Sequence, residues 1–199
     1  MSRVKTTVYS GITIGLLGGS FDPPHEGHLH ITEQARRLFG LNQIWWVVSP
    51  GNPLKNTPSI SFSKRIKKCQ EIVGTRNIFV SDVEVSLGTQ FTHNTVKKLY
   101  LKYPGVRFIW LMGADNLCNF HNWKNWSWIM QNIPIGVMAR PGKHPPAGLS
   151  LAARKYEKYR LKTQAARLLA FKRAPAWVLM SGKTLDISSS KIRSIGKPI

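Results

Sequence analysis

"LLGGSFDPPHEGHLH" (residues 16–30) follows directly on an apolar run and holds two adjacent glycines, two adjacent prolines and three histidines. The run it completes, "ITIGLL" (12–17), has the length and composition of a buried strand, and His28 to Phe39 places Ile31, Ala35 and Leu38 at helical spacing. Strand, glycine loop and helix are therefore predicted in that order. The bare glycine backbone admits close approach of another group, and the prolines stiffen the entry to the helix. That helix start, with free N–H groups and a partial positive charge, suits an anion. His25 lies just before the first turn and His28 within it, so both imidazoles can donate to phosphate oxygens and stabilise charge that builds in a transition state.

The same alternation continues along the chain. "QIWWVVS" (43–49) reads as a second strand, ending at the proline-rich loop "PGNPLKNTPS" (50–59). A helix capped from Ser61 or Ser63 carries Ile66, Cys69, Ile72 and Val73, and "NIFVSDVEV" (77–85) alternates as a strand. Thr92 to Lys102 reads as a helix, and "VRFIWLM" (106–112) and "IPIGVMA" (133–139) as strands. Residues 149–173 read as a basic helix, 176–180 as a strand, and a last helix is predicted to begin near Ser188. Strands alternating with helices at this spacing imply βαβ units. The predicted fold is α/β and Rossmann-like, three layers with a mainly parallel sheet and helices on both faces, as one domain over 1–199. Ligands of such sheets gather at the carboxyl ends of the strands. The glycine loop, the proline loop, Gly113 to Asn116 and Arg140 all fall on that edge.

Charge narrows the partner class. The chain sets 29 Lys and Arg against 9 Asp and Glu, a formal +20, a field that attracts nucleic acid or a phosphorylated metabolite. Residues 149–173 hold eight basic residues and one acid, Glu157, which by itself reads as a solvated face. Cys69 and Cys118 have no C-x-x-C spacing and read as buried thiols. No stretch approaches the roughly 20 apolar residues that span a bilayer, and nothing near the N-terminus has the form of a signal peptide, so a cytoplasmic protein without a membrane partner is expected.

Three familiar readings of the opening stretch fail on spacing. It has G-x-x-G-G where the dinucleotide fingerprint needs G-x-G-x-x-G, and before Gly182, Lys183 and Thr184 a P-loop would need glycine where Trp177 stands. A zincin helix would need H-E-x-x-H, but Leu29 occupies the second ligand position after His25 and Glu26, so no protein-held metal is expected.

"GGSFDPPHEGH" (18–28) resembles the G-x-F-D-x-x-H-x-G-H signature of the nucleotidyltransferase superfamily, and "ISSSKIR" (187–193) resembles its second motif, I-S-S-T-x-I-R, with Ser190 in place of threonine. Between them, "GADNLCNFHNWKNWSWI" (113–129) is similar to the G-A-D-x-x-x-x-F-x-x-W stretch of nicotinate-nucleotide adenylyltransferases. The resemblance implies adenylyl transfer from ATP to nicotinate mononucleotide, with magnesium bound alongside ATP. It implies ATP contacts at Gly18, Gly19, Ser20, Phe21, His25, His28, Gly113, Asp115, Ile187, Ser188, Ser189, Ser190 and Arg193. His25, His28 and Arg193 would act in the chemistry, and Asp115 would receive a ribose hydroxyl. For the mononucleotide it implies Trp123 stacked on the pyridine ring, Thr92 and the Lys124 backbone receiving the carboxylate, and Lys55 and Arg140 as further contacts. Asn52, Pro53 and Leu54 depart from the Pro-Pro-His that relatives often carry before the lysine, and Phe91 stands where tyrosine is common. Nicotinamide mononucleotide and pantetheine phosphate remain alternative acceptors, and a basic nucleic-acid-binding module is the rival from another class. A homo-oligomer is compatible with the sequence.

Overall fold

The computed structural model describes residues 8–51, 60–74, 76–139 and 147–181. Its centre is a six-stranded sheet of β1 (Thr13–Gly19), β2 (Gln43–Val48), β3 (Ile78–Ser81), β4 (Arg107–Gly113), β5 (Ile135–Ala139) and β6 (Trp177–Ser181). The strand order is β3-β2-β1-β4-β5-β6, and all five neighbouring pairs run parallel. This is the doubly wound order, whose topological switch lies between β1 and β4.

The strands alternate their side chains between two cores, which forces a layer onto each face. Ile14, Leu16, Trp45, Val47, Phe108 and Trp110 point to one side, and Leu17, Ile44, Trp46, Val48, Ile109 and Leu111 to the other. On the second side lie α1 (Glu26–Phe39), α2 (Phe62–Val73) and a 3-10 segment, Thr163–Phe171. From α1, Leu29, Ile31, Ala35 and Phe39 are buried there, and each of its larger side chains contributes roughly 1.5–3 kcal/mol. Gly40, in the left-handed region at φ 62°, ends that helix. On the first side lie the turn α3 (Val83–Ser86), then α4 (Thr92–Lys102), α5 (Ala114–Cys118), α6 (Trp126–Asn132) and α7 (Leu151–Lys155).

Two predicted elements differ. The alternating run 77–85 is a strand only to Ser81, because Ser81 Oγ accepts the Val83 N–H at 3.3 Å and the chain turns into α3, burying Glu84. The basic stretch 149–173 is not one helix. It is α7, a 3-10 turn at Glu157–Tyr159, an extended link and the 3-10 segment. Here β6 captures backbone groups that a continuous helix would use internally. Trp177 Nε1 donates to the Tyr156 carbonyl at 2.8 Å, and the Leu161 N–H donates to the Trp177 carbonyl at 2.8 Å. The helix predicted near Ser188 lies outside the described residues. Neither Cys69 nor Cys118 is in a disulfide; Cys69 is buried, whereas Cys118 is half-buried rather than fully so. No helix among the described residues is long and apolar enough to cross a membrane.

Candidate active site

The end of β1 turns sharply. Phe21 sits in the left-handed region at φ 47°, unusual for a bulky residue and costing on the order of 1–3 kcal/mol, and the Asp22–Pro23 peptide is cis. The strain is held by burial: the Phe21 ring stacks on Trp46 at 4.9 Å and meets the His28 ring at 4.8 Å.

His25 caps the start of α1, with its ring centroid 3.9 Å from that of His28. The backbone N–H of His25 donates to His28 Nδ1 at 3.2 Å. An acceptor at Nδ1 assigns the neutral ring's proton to Nε2, so the main chain itself sets which nitrogen can donate. The turn bearing His28 is fixed from below as well. Trp46 Nε1 donates to Thr32 Oγ1 at 2.8 Å, and Thr32 Oγ1 donates to the His28 carbonyl at 2.7 Å.

The glycines serve the protein before they serve a ligand. A Cβ on Gly18 would lie 2.5 Å from the Trp110 ring, so the space beside this residue belongs to that indole, whereas one on Gly19 would meet the Phe21 ring at 3.3 Å. Gly113, at the end of β4, leaves room for the Asp115 carboxylate, whose Oδ1 is buried with no partner among the described residues. A buried acceptor of this kind fits a hydroxyl donor. Since β4 is the neighbour of β1, Asp115 and the histidine pair flank the switch point.

A second cluster lies alongside. Thr92 opens α4, an eleven-residue helix whose N-terminus has no side-chain cap. Trp123 follows a 3-10 turn, half-buried, at edge-to-face distances of 6.3 Å from Trp110 and 5.2 Å from Phe120. Lys124 sets its ammonium 4.5 Å over the Phe91 ring, bringing the turn after Trp123 to the start of α4. Trp110 joins the clusters, covering Gly18 on one side and touching Trp123 on the other. Trp126 and Trp128 pack against the core. Lys55, Arg140, Ile187, Ser188, Ser189, Ser190 and Arg193 lie outside the described residues.

Residues that motif reading passed over hold these loops in place. The Arg65 guanidinium, 1% exposed, donates to the carbonyls of Ser20 at 2.6 Å, Ser49 at 2.7 Å, Pro50 at 3.1 Å and Ile60 at 3.3 Å. It thereby staples the ends of β1 and β2 to the start of α2. Burial lowers its pKa, against the attraction of Asp22. Glu84, 5% exposed, accepts from Thr95 Oγ1 at 3.2 Å, and burial pushes its carboxyl up to about 7 although Thr95 and Ser49 hydrogen bonds oppose this. Glu84 carried a sequence signal, a charge between Val83 and Val85, whereas Arg65, in a run with Lys64, Lys67 and Lys68, carried none.

The cytidylyltransferase-like family matches residues 16–195, from the glycine end of β1 to beyond the second motif. The chain belongs to this family. Relatives of nearly equal length are proteins named "Probable nicotinate-nucleotide adenylyltransferase" from Ruegeria sp. (49% identity, covering 93% of this chain and 98% of the relative), Cereibacter sphaeroides (46%, 94% and 98%) and Agrobacterium fabrum (44%, 92% and 98%). The resemblance read from the three motifs therefore holds. Among solved structures, the Plasmodium falciparum nicotinic acid mononucleotide adenylyltransferase complexed with NaAD shares the fold, with a TM-score of 0.69 at 20% identity over 92% of this chain and 83% of that one.

Proposed function

We propose that this chain transfers the adenylyl group of ATP to nicotinate mononucleotide, giving nicotinate adenine dinucleotide and pyrophosphate in NAD biosynthesis, with residues 1–199 acting as one nucleotidyltransferase domain. The observation that carries the reading is the bridge made by Trp110. Its ring fills the room beside Gly18, in the strand end that leads to the histidine pair, and meets Trp123, whose neighbour Lys124 reaches Phe91 at the uncapped start of α4. The first cluster suits a triphosphate, the second a flat ring bearing an anion.

The chemistry asks little of a base. A phosphate monoester, with its second pKa about 6, is already largely ionised at neutral pH. An oxygen of the mononucleotide phosphate attacks the α-phosphorus of ATP, a new P–O bond forms, and the bond to the β-phosphate oxygen breaks with its electron pair leaving on pyrophosphate. The barrier lies in aligning two anions and holding the departing charge. His28, with its proton at Nε2, and His25 would contact the phosphates beside the backbone of Gly18, Gly19, Ser20 and Phe21. Arg193 with Ile187, Ser188, Ser189 and Ser190 would hold the β and γ phosphates. Asp115 would take a ribose hydroxyl beside Gly113. Trp123 would stack on the pyridine ring, Thr92 and the Lys124 N–H would receive its carboxylate, and Lys55 and Arg140 would complete the anion site.

Magnesium would enter with ATP, since that ion keeps much of its water and is held mainly by substrate phosphates. The imidazoles at the switch point are weak ligands for so hard a cation, which fits an ion carried in on the triphosphate, where it would neutralise phosphate charge. Cys69 and Cys118, both reduced, fit a reducing compartment such as the cytoplasm.

The test compares pyrophosphate release from ATP and magnesium with nicotinate mononucleotide, nicotinamide mononucleotide and phosphopantetheine as acceptors. A site built around a carboxylate should turn over the acid at least about a hundredfold faster than the amide, because the amide leaves its donors unpaired. Equal rates for acid and amide sink the nicotinate assignment, and a preference for phosphopantetheine replaces it.

A further inference from the structure

Glu84 of α3, Thr89 of the following loop and Thr95 of α4 are polar side chains buried against one another. Thr95 Oγ1 lies at the centre of the group. It is 3.2 Å from Glu84 Oε1, 2.9 Å from Thr89 Oγ1 and 3.3 Å from the Phe91 carbonyl oxygen. Thr89 closes the group, since its N–H donates to the Glu84 carbonyl at 2.7 Å and its hydroxyl reaches the same oxygen at 3.4 Å. Phe91 is the N-cap of α4, immediately before Thr92, and its ring carries the Lys124 ammonium at 4.5 Å. The group therefore holds the residue that stands between the start of α4 and the turn after Trp123.

We propose that Thr95 is a positioning residue for the acceptor subsite: its hydroxyl, held between Glu84 and Thr89, ties the first turn of α4 to α3 and so fixes where Thr92 and the uncapped helix start present their donors to the carboxylate of the mononucleotide. The proposal rests on the assignment of that subsite to nicotinate mononucleotide. Which bonds can do this follows from which elements they join. The N–H groups of Asn94 and Thr95 donate to the Phe91 carbonyl at 2.9 and 3.1 Å, but those bonds lie inside the first turn and travel with it. The Thr95 hydroxyl instead crosses to α3, at the residue next to Val83, which is buried in the core. Lys98 Nζ also crosses, donating to the Leu87 carbonyl, but from a long, exposed side chain that water can replace. At Thr95 burial leaves no such substitute, so loss of the hydroxyl is felt in full. The tie holds in both charge states of Glu84. An ionised carboxylate accepts a hydrogen bond from Thr95, whereas a protonated one donates to Thr95 Oγ1, whose own proton then goes to the Phe91 carbonyl.

Two measurements on the full chain test this. Thr95→Val keeps the shape of the side chain but not its hydroxyl. In the unliganded variant, amide hydrogen exchange over residues 87–95 should speed up about five- to tenfold, the worth of roughly one hydrogen bond. In steady-state kinetics the same variant should raise KM for nicotinate mononucleotide about five- to tenfold and leave KM for ATP within about twofold. Thr95→Ser, which restores the hydroxyl without the methyl, should return both exchange and acceptor KM most of the way. Unchanged exchange, equal changes in both KM values, faster exchange with an unchanged acceptor KM, or no rescue by serine each overturns the proposal. Should Thr95→Val not fold, Thr89→Val decides, because it removes a hydroxyl from the same group: faster exchange together with a raised acceptor KM supports the tie, and any other result overturns it. Exchange is read without substrate, so a failure of the nicotinate assignment in the acceptor comparison is distinguishable from a failure of the tie.

Discussion

Replacing Arg65 by methionine tests how the site loops are held. Methionine keeps most of the buried volume but removes every donor, leaving the carbonyls of Ser20, Ser49, Pro50 and Ile60 without the guanidinium that reaches them at 2.6 to 3.3 Å. Hydrogen bonds from a charged donor are worth about 1.5–3 kcal/mol each, but these four share one cation and are not additive. Two terms reduce the cost: the cation's own desolvation, visible as its lowered pKa, disappears, and loop carbonyls near the sheet edge can recover water. Asp22, 4% exposed, adds to it by losing its countercharge. Removing one side of a buried charged network costs about 3–5 kcal/mol, and that is the expected loss here. For a chain of this size it lowers Tm by about 6–20 °C. Urea unfolding followed by tryptophan fluorescence, with thermal melts beside it, reads both quantities. Because the Ser20 carbonyl is released with the rest, KM for ATP should also rise. A variant within about 1 kcal/mol of wild type refutes the view that this guanidinium staples β1, β2 and α2 together.

The pH dependence of stability should carry the signature of Glu84, and His28 that of the chemistry. The folded carboxyl, at about 7, lies above its ordinary value of 4.5, so between these pH values the folded chain keeps a proton that the unfolded chain has released. Its contribution is full below about pH 4.5, falls as pH rises through 7, and amounts to about 3 kcal/mol in all. Glu84→Gln should remove that slope and be more stable than wild type at pH 8 in parallel urea titrations at pH 5 and 8; an unchanged slope shows that Glu84 is not the group. His28→Ala should lower kcat by roughly two to four orders of magnitude while the circular dichroism spectrum is kept, the scale of losing a donor to developing charge. A near-normal kcat removes that imidazole from the reaction.

Much of this was legible in order along the chain. Hydrophobic runs marked six of the strands' positions, and the glycine-to-histidine stretch marked the switch point, because a strand buried on both faces must be apolar throughout and a bare turn followed by a helix start must be written in glycine and proline. The run 77–85 and the basic stretch 149–173 were misread for the same reason. Periodicity reports what a segment would do alone, while the Ser81 hydroxyl and the Trp177 indole redirect its backbone.

What the sequence determined by itself was the set of local patterns: strand, loop and helix in alternation, the three motifs, and the residue types that phosphate chemistry needs. What only the tertiary structure decided was who stands beside whom. The room beside Gly18 went to Trp110, the carbonyls of Ser20, Ser49 and Pro50 met one arginine from α2, and the Lys124 ammonium came to rest over Phe91. Most of these partners belong to different elements of the chain, and no periodic signal records a contact whose two halves meet only when the sheet has folded.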